Sequence, residues 1–469
     1  MHLPNLQEAR SRTKKEVSIN RYSCNIEYYV TNKNYLILTY GCQMNVHDSE
    51  NIKALLESVG YNETTNISDA DIIVINTCAI RENAHNKVFG MLGRLKKLKE
   101  NNPNLIICMC GCMPQEEHIS LEIRDKYKYV DIVFGTHNIY QLPQLLKEYT
   151  TNQKQIIEVY SIEGNVIEGL PVKRDSQYKA WINIMYGCDK FCTYCIVPFT
   201  RGKQRSRLKE DILNEITALK NDGYIEVTLL GQNVNAYGKD LYSSYNLAAL
   251  LTDVSKIGIK RIRFVTSHPW DFTDEMIDVI AKYDNIMPYI HLPIQSGSNS
   301  ILKKMGRRYT KEEYIVLFNK IKQKIKNVSI STDIIVGFPN ETDKDFEDTL
   351  SIVKQLQFDL AYTFIFSKRV STVAYTLEDS VDLATKKQRL AILNKLVNES
   401  ALNNNKKYLG KTVDVLIEGY SAKDNKLMGY TDTMKLVNLK GGASLIGKIK
   451  KVKITNIKTW SLDGEIDDR

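Results

Sequence analysis

Nowhere in the 469 residues does an apolar run approach the roughly eighteen uninterrupted positions a membrane-spanning helix needs, so no helical membrane anchor is expected. Residues 1–32 carry Arg10, Arg12, Lys14 and Lys15 among polar neighbours and lack the apolar core of a secretory signal. They read as a flexible N-terminal arm on a cytoplasmic chain. A disulfide framework is missing as well: nine cysteines is an odd number, they cluster, and no export signal accompanies them. That pattern points to metal ligation in a reducing compartment. A strong uniform charge is also absent. Net +9 is moderate for this length, but residues 405–469 hold thirteen basic against eight acidic side chains, so the tail alone supplies +5. A basic terminal module with no amphipathic basic helix suits a nucleic acid better than a membrane.

Cys188, Cys192 and Cys195 stand in a CxxxCxxC run that offers three thiolates and no fourth. Structural zinc sites are closed by four protein ligands, and most iron–sulfur clusters take four cysteines. A tight loop with three leaves one metal corner open to another ligand, which is where S-adenosylmethionine can chelate an iron–sulfur cluster and be cleaved. A zinc knuckle or unligated cysteines are the plainer alternatives, and this spacing after a predicted strand disfavours both.

The length suggests roughly three domains. Residues 33–150 alternate short apolar runs with helical stretches, the pattern of an open parallel α/β sheet. Predicted strands are Tyr35–Thr39, Asp71–Ile75, Leu105–Met109 and Asp131–Phe134; predicted helices are Ser49–Val59 and Glu82–Lys99. Cysteines follow the first three strands, at Cys42, Cys78 and the pair Cys110 and Cys112. Ligands of open α/β sheets bind beyond the carboxyl ends of strands, so these loops converge on a second three-thiolate site. Cys108, Cys110 and Cys112 share one parity, and spacing does not choose between the last two. Cys24 reads as a bystander. Residues 151–173 read as a linker, with Gly164, Gly169 and Pro171.

Over residues 174–404, six strand–helix units predict a partial parallel (β/α)6 barrel followed by a bridging helix at Leu383–Leu402. By analogy with complete barrels, site residues are expected at the strand carboxyl ends. The loops there hold Gly231-Gln232-Asn233, Ser267-His268-Pro269, Gln295-Ser296-Gly297-Ser298 and Gly337-Phe338-Pro339. Residues 405–469 show four strand-like runs separated by glycine and Asp/Asn turns, a small all-β barrel of the kind that often binds oligonucleotides.

Thr39-Tyr-Gly-Cys-Gln-Met-Asn45, Asn76-Thr-Cys-Ala-Ile-Arg-Glu82, Gly111-Cys-Met-Pro-Gln115 and Gly187-Cys-Asp-Lys-Phe-Cys-Thr-Tyr-Cys-Ile-Val-Pro-Phe-Thr-Arg-Gly202 together resemble the radical-SAM methylthiotransferases over nearly the whole chain after residue 32. They look most like the members acting on N6-isopentenyladenosine beside the anticodon of tRNA. The tail is similar to a TRAM domain, which in that family contacts RNA. The resemblance implies two [4Fe–4S] clusters, one on Cys188, Cys192 and Cys195 and an auxiliary one on Cys42, Cys78 and Cys112. It implies S-adenosylmethionine as cofactor, held by Gly231, Gln232, Asn233, Gly337, Phe338, Pro339 and Glu341. It also implies a flavodoxin- or ferredoxin-like electron donor, a tRNA substrate and a monomer. The reaction would abstract hydrogen from C2 of the adenine, insert sulfur and add a methyl group.

Two segments depart from the family pattern. Asn340 replaces a usual glycine in Gly337-Phe-Pro-Asn-Glu-Thr342, a mild change because Asn tolerates left-handed backbone. Ser367–Tyr375 lacks the family's prolines and glycine. His268, His291, Gln295 and Ser296 face the expected cavity as either site or barrel residues. Arg201, Arg205 and Arg207 suit phosphate or cofactor carboxylate contacts, or a structural role. Rival functions are a methylthiotransferase on threonylcarbamoyl-adenosine or on a ribosomal-protein aspartate, a non-catalytic iron–sulfur RNA sensor, and a sulfur-inserting enzyme on a small cofactor.

Overall fold

The computed structural model describes residues 6–13, 16–23, 26–79, 82–160, 165–422 and 425–467; Cys24, Ile80, Arg81 and Gly164 lie outside them. Helix α1 (Leu6–Arg12) and strand β1 (Ile19–Arg21) precede the first sheet. That sheet is built by β2 (Lys33–Thr39), α2 (Gln43–Ser58), β3 (Tyr61–Glu63), β4 (Ile72–Thr77), α3 (Glu82–Asn101), β5 (Ile106–Gly111), α4 (Glu117–Lys126), β6 (Ile132–Phe134), α5 (Leu142–Asn152) and β7 (Ile156–Glu158). Its six strands run parallel in the order β3-β2-β4-β5-β6-β7.

A parallel sheet covered on both faces reads as continuous apolar runs, and β4 is buried at every position. Alternate residues serve opposite cores. Ile72 and Val74 pack with Leu55, Leu56, Leu142 and Leu145 of α2 and α5, whereas Ile73 and Ile75 pack with Val88, Leu92 and Ile119 of α3 and α4. Truncating Ile73 or Val74 to alanine at such a site costs about 2–4 kcal/mol.

The stretch 151–173, read as a linker, contains β7, which is the sixth strand of the sheet, and β8 (Val166–Glu168). Strand β8 pairs in parallel with β1, at Ile19↔Val166 through Arg21↔Glu168. The arm is therefore joined to the chain that leaves the sheet. The backbone amides of an isolated three-residue strand need a partner from elsewhere, a pairing with no local sequence signal.

The central unit has β9 (Lys179–Asn183), β10 (Met185–Tyr186), α6 (Val197–Thr200), β11 (Arg205–Ser206), α7 (Lys209–Asn221), β12 (Glu226–Leu230), α8 (Leu247–Ile257), β13 (Arg261–Phe264), α9 (Asp274–Lys282), β14 (Tyr289–His291), α10 (Asn299–Lys304), α11 (Lys311–Lys324), β15 (Ser329–Val336), α12 (Asp343–Leu356) and β16 (Leu360–Ile365). Six parallel strands form two triplets, β9-β12-β13 and β14-β15-β16, linked by the Ile262↔Ile286 bridge. Ala180, Ile182, Val227, Leu229, Ile262, Ile290, Ile330 and Ile334 face one apolar layer with the outer helices. Helix starts follow the capping rule: Thr310 with Glu313 and Thr342 with Asp345 form reciprocal boxes.

Helix α13 (Leu383–Lys406) leads to a closed barrel of β17 (Thr412–Tyr420), β18 (Leu427–Thr431), β19 (Leu436–Leu439), β20 (Ile449–Ile457) and β21 (Leu462–Ile466), in the order β17-β18-β19-β21-β20. The fifth strand is one more than the four strand-like runs of the sequence. Arg261 donates to Tyr430 O at 2.9 Å and Asp414 O at 3.0 Å, and Tyr178 donates to Glu418 O, fastening this barrel to the amino ends of β9 and β13. Buried Asp359 gathers Lys322, Lys407 and Lys435 at the same joint. Among the described residues no helix is long and apolar enough to cross a membrane.

Candidate active site

At the carboxyl edge of the first sheet, Cys42 caps α2, Cys78 follows β4 and Cys112 follows β5. Strand β5 separates the three cysteines that share a parity. Cys108 and Cys110 stay inside it and face the α2/α5 core. At Gly111 the backbone turns to φ +94°, where a side chain would lie 2.3 Å from Thr77 O, and Cys112 leaves the strand. Cys112 then packs with Ala79, Ile196 and Phe199. Its N–H donates to Thr77 O at 2.7 Å, which joins the second and third cysteine loops.

Two fully buried asparagines tie in the first loop. Asn45 Nδ2 donates to Asn76 Oδ1 (3.0 Å) and Thr77 O (3.1 Å), and Asn76 Nδ2 donates to Asn45 O (2.8 Å) and Ser49 Oγ (3.0 Å). Asn45 Oδ1 also accepts from the Cys42 N–H and thiol. The three loops thus share one buried polar lock, and buried polar groups of this kind are costly unless satisfied.

The second trio lies on a loop closed by the β10–β11 ladder, Met185↔Ser206 and Tyr186↔Arg205. Gly187 (φ +71°) runs so close to the returning strand that a side chain would stand 1.9 Å from Lys203 O. Cys188 N donates to Gly202 O and Cys195 N to Cys192 O. Thr193 is held by Met305 O and in turn accepts from Ala374 N. The atypical 367–375 segment therefore docks on this loop. Arg307 Nη1 stands 3.5 Å from Cys192 Sγ, while its other nitrogens bond Pro293 O and Tyr309 Oη.

Burial pushes the thiols of Cys188 and Cys195 up, each reinforced by neighbouring cysteines of the trio. Cys112 is raised by burial too, opposed by Arg201. Any metal binding here must displace those protons. Among the described residues no three His, Cys, Asp or Glu side chains close around a point that suits one metal ion. A cubane cluster spreads its thiolates over separate irons, so its cysteines stand further apart than the ligands of one ion. Two soft, three-thiolate sets fit iron–sulfur clusters.

The two cysteine loops are in contact with each other. Arg201, from the second loop, donates to Cys112 Sγ (3.2 Å) and Asp48 Oδ2 (2.7 Å). Gln232 reaches Met44 beside Cys42. Phe191, Ile196 and Phe199 pack with Cys112, Ala79 and residues Leu6 and Ala9 of α1. Asn233 donates to Asp271, whose carboxyl is lowered to about 2; burial alone would raise it, but hydrogen bonds from Lys190, Lys239 and Asn233 prevail.

Of the segment 337–341, Gly337 turns at φ +67°, Phe338 is wholly inside against Phe366, and Pro339 is buried. Glu341 accepts from Gly337 N (2.8 Å) and Arg389 (2.7 Å). Asn340 does adopt the left-handed conformation, φ +61°. His268 is held neutral, its pKa lowered to about 2 by burial and then by Arg307. His291 lies 2.9 Å from Ser331 Oγ and 3.4 Å from Asp333. Gln295 is a left-handed residue of the β14 loop, φ +73°. Ser296 is buried beside Thr349, a structural position.

Of the three arginines, Arg207 binds Glu168 and Glu215 internally, and Arg205 stacks on Tyr186 and donates to Arg201 O; neither offers a free phosphate contact. Asn45 and Asn76 lie within the quoted segments Cys-Gln-Met-Asn and Asn-Thr-Cys without a role assigned to them there, and Asp48 and Arg307 carry no motif signal.

Residues 182–353 match the Radical SAM superfamily, residues 34–135 the Uncharacterized protein family UPF0004 and residues 406–466 the TRAM domain. The chain is 54% identical over 468 residues to a tRNA-2-methylthio-N(6)-dimethylallyladenosine synthase of Shouchella clausii, covering 99% of this chain and 90% of that protein. It is 53% identical over 474 residues to the protein of the same name from Staphylococcus haemolyticus, covering 98% and 91%. Among solved structures, the radical S-adenosylmethionine methyltransferase TsrM of Kitasatospora setae, with cobalamin and [4Fe–4S] cluster bound, shares the fold at TM-score 0.52 and 13% identity, covering 74% of this chain and 77% of that one.

Proposed function

The chain belongs to the family of the tRNA-2-methylthio-N(6)-dimethylallyladenosine synthases, and we propose that its two cysteine trios divide that family's chemistry between them. It is a transferase that places a methylthio group on N6-dimethylallyladenosine (isopentenyladenosine) next to the anticodon of tRNA, and it uses iron–sulfur chemistry and S-adenosylmethionine. Cys188, Cys192 and Cys195 hold the cluster that binds S-adenosylmethionine; Cys42, Cys78 and Cys112 hold the auxiliary one. When bound, these groups supply a radical able to break the C2–H bond, which no side-chain base reaches at neutral pH, together with the sulfur and methyl group.

What supports the division is the Arg201 contact, which brings a residue of one loop onto a cysteine of the other at 3.2 Å. The protein's own work is then placement and exclusion of water. Gly231, Gln232 and Asn233 line the cofactor beside Met44 and Asp271. From Gly337, Phe338, Pro339 and Glu341 the contact is made by backbone, because Phe338 and Glu341 direct their side chains inward. Units 33–150, 174–404 and 405–469 act as auxiliary-cluster, radical and RNA-binding modules. The electron donor is flavodoxin- or ferredoxin-like, and the protein is a cytoplasmic monomer.

The test is anaerobic reconstitution with iron and sulfide, reaction with isopentenylated tRNA and mass spectrometry of the nucleosides. Cys192→Ala abolishes 5′-deoxyadenosine formation; Cys78→Ala spares it and stops thiolation. Loss of 5′-deoxyadenosine in both variants, with the fold intact, overturns the division. Conversion of threonylcarbamoylated tRNA instead would overturn the substrate.

A further inference from the structure

Arg201 sits six residues after Cys195, yet its guanidinium does not serve the loop it comes from. Its Nε donates to Cys112 Sγ at 3.2 Å and its Nη2 to Asp48 Oδ2 at 2.7 Å. Arg201 and Asp48 are each 4% exposed and Cys112 equally so, which makes this a wholly buried cation shared between a carboxylate and a sulfur. Its backbone is held from both sides: Arg201 N donates to Val197 O at 2.8 Å and Arg205 Nη2 donates to Arg201 O at 2.9 Å. Asp48 in turn lies on α2, less than two turns from Cys42. Asp48, then Cys112 and Cys42, are the groups that favour the charged guanidinium against its burial.

Two physical consequences follow. A buried charge is tolerated only when it is paired and its remaining hydrogens are satisfied, and here Asp48 takes one face while the cysteine takes another. A hydrogen bond to a cluster's sulfur, particularly from a cation, stabilises the more negative, reduced state, since hydrogen bonds to sulfur are among the factors that set cluster potentials. The neighbouring carboxylate acts in the opposite sense.

We propose that Arg201 and Asp48 are a charge pair that sets the reduction potential of the auxiliary cluster, Arg201 raising it and Asp48 restraining it, so that the radical loop itself tunes the site that presents sulfur. Arg201 is a positioning residue: it acts through Cys112 and touches neither substrate nor cofactor. The proposal rests on the assignment of Cys42, Cys78 and Cys112 to a cluster. Arginine's planar fork, and not charge alone, is required to reach sulfur and carboxylate together.

The experiment is a redox titration followed by electron paramagnetic resonance on the full-length, anaerobically reconstituted protein. Replacing Cys188, Cys192 and Cys195 together by alanine leaves only the auxiliary signal. On that background Arg201→Gln shifts the midpoint potential negative, Asp48→Asn shifts it positive, and Arg201→Lys falls between wild type and Gln. Arg207→Gln, which breaks another buried pair away from the cysteines, leaves the potential where it was. Loosened packing does not produce shifts of opposite sign from two members of one ion pair, so the signs separate tuning from damage. If the Gln variant retains no iron, Asp48→Asn and Arg201→Lys still decide the matter. Unmoved potentials, or shifts of one sign, in variants that keep wild-type iron overturn the proposal while leaving the cluster assignment intact. Failure of the triple-alanine background to take up any iron overturns the assignment itself.

Discussion

Asn45 and Asn76 bond each other reciprocally, Asn45 Nδ2 to Asn76 Oδ1 at 3.0 Å and Asn76 Nδ2 to Asn45 O at 2.8 Å, across two loops that deliver Cys42 and Cys78. Both are fully buried, so each partner left behind by a truncation is stranded in an apolar surround. Asn76→Ala is expected to cost about 3 kcal/mol of stability and to release iron from the first trio. Urea unfolding and iron counting check this; 5′-deoxyadenosine formation should persist.

Gly187→Ala puts a side chain 1.9 Å from Lys203 O at φ +71°. Backbone strain alone costs about 1–3 kcal/mol, and the β10–β11 hairpin must open to relieve the clash. The expected outcome is loss of 5′-deoxyadenosine formation with the first trio's iron retained, read by chromatography and iron analysis.

Glu116 is buried near His85 and Arg369, and burial raises its pKa from 4.5 to about 7. Between these values the folded chain holds a proton the unfolded chain has released, so stability falls as pH rises through roughly 4.5 to 7 and the full cost remains above it. A shift of this size corresponds to about 3 kcal/mol. Glu116→Gln should flatten that slope and raise the melting temperature at pH 8; an unchanged slope in calorimetry contradicts the reading.

Asp359→Ala leaves Lys435 buried without its carboxylate at the joint between the central unit and the terminal barrel. Removing one member of a buried charge cluster costs about 3–5 kcal/mol. The measurable result is faster proteolytic cleavage near residue 406 and a higher KM for tRNA, with uncoupled cleavage of S-adenosylmethionine unchanged.

What could be read from residues alone follows the range of the forces. Ile72–Ile75 announces a strand because continuous burial leaves a continuous apolar run, and Cys188, Cys192 and Cys195 announce a site because all three lie within eight positions. Strands of three residues such as β3 and β7 leave too short a pattern, and β21 is interrupted by Asp463 and Gly464. The polar lock was out of reach for another reason. Asn45 and Asn76 are 31 residues apart, and Arg201 and Asp48 are 153 apart, so neither pairing has a local signature. Arg205 and Arg207 looked available to a ligand because carboxylates such as Glu168 are distant in sequence and adjacent only in the fold.

The clasp between β1 and β8 sets an order of events during synthesis. Ile19–Arg21 leaves the ribosome early, but its partner Val166–Glu168 emerges only after the entire first sheet. Glu168 is then seized by Arg207, from beyond the second cysteine loop. A nascent chain stopped before residue 207 can hold all six cysteines yet lacks that fastening, so the arm is expected to close onto the folded chain only once this point has been passed.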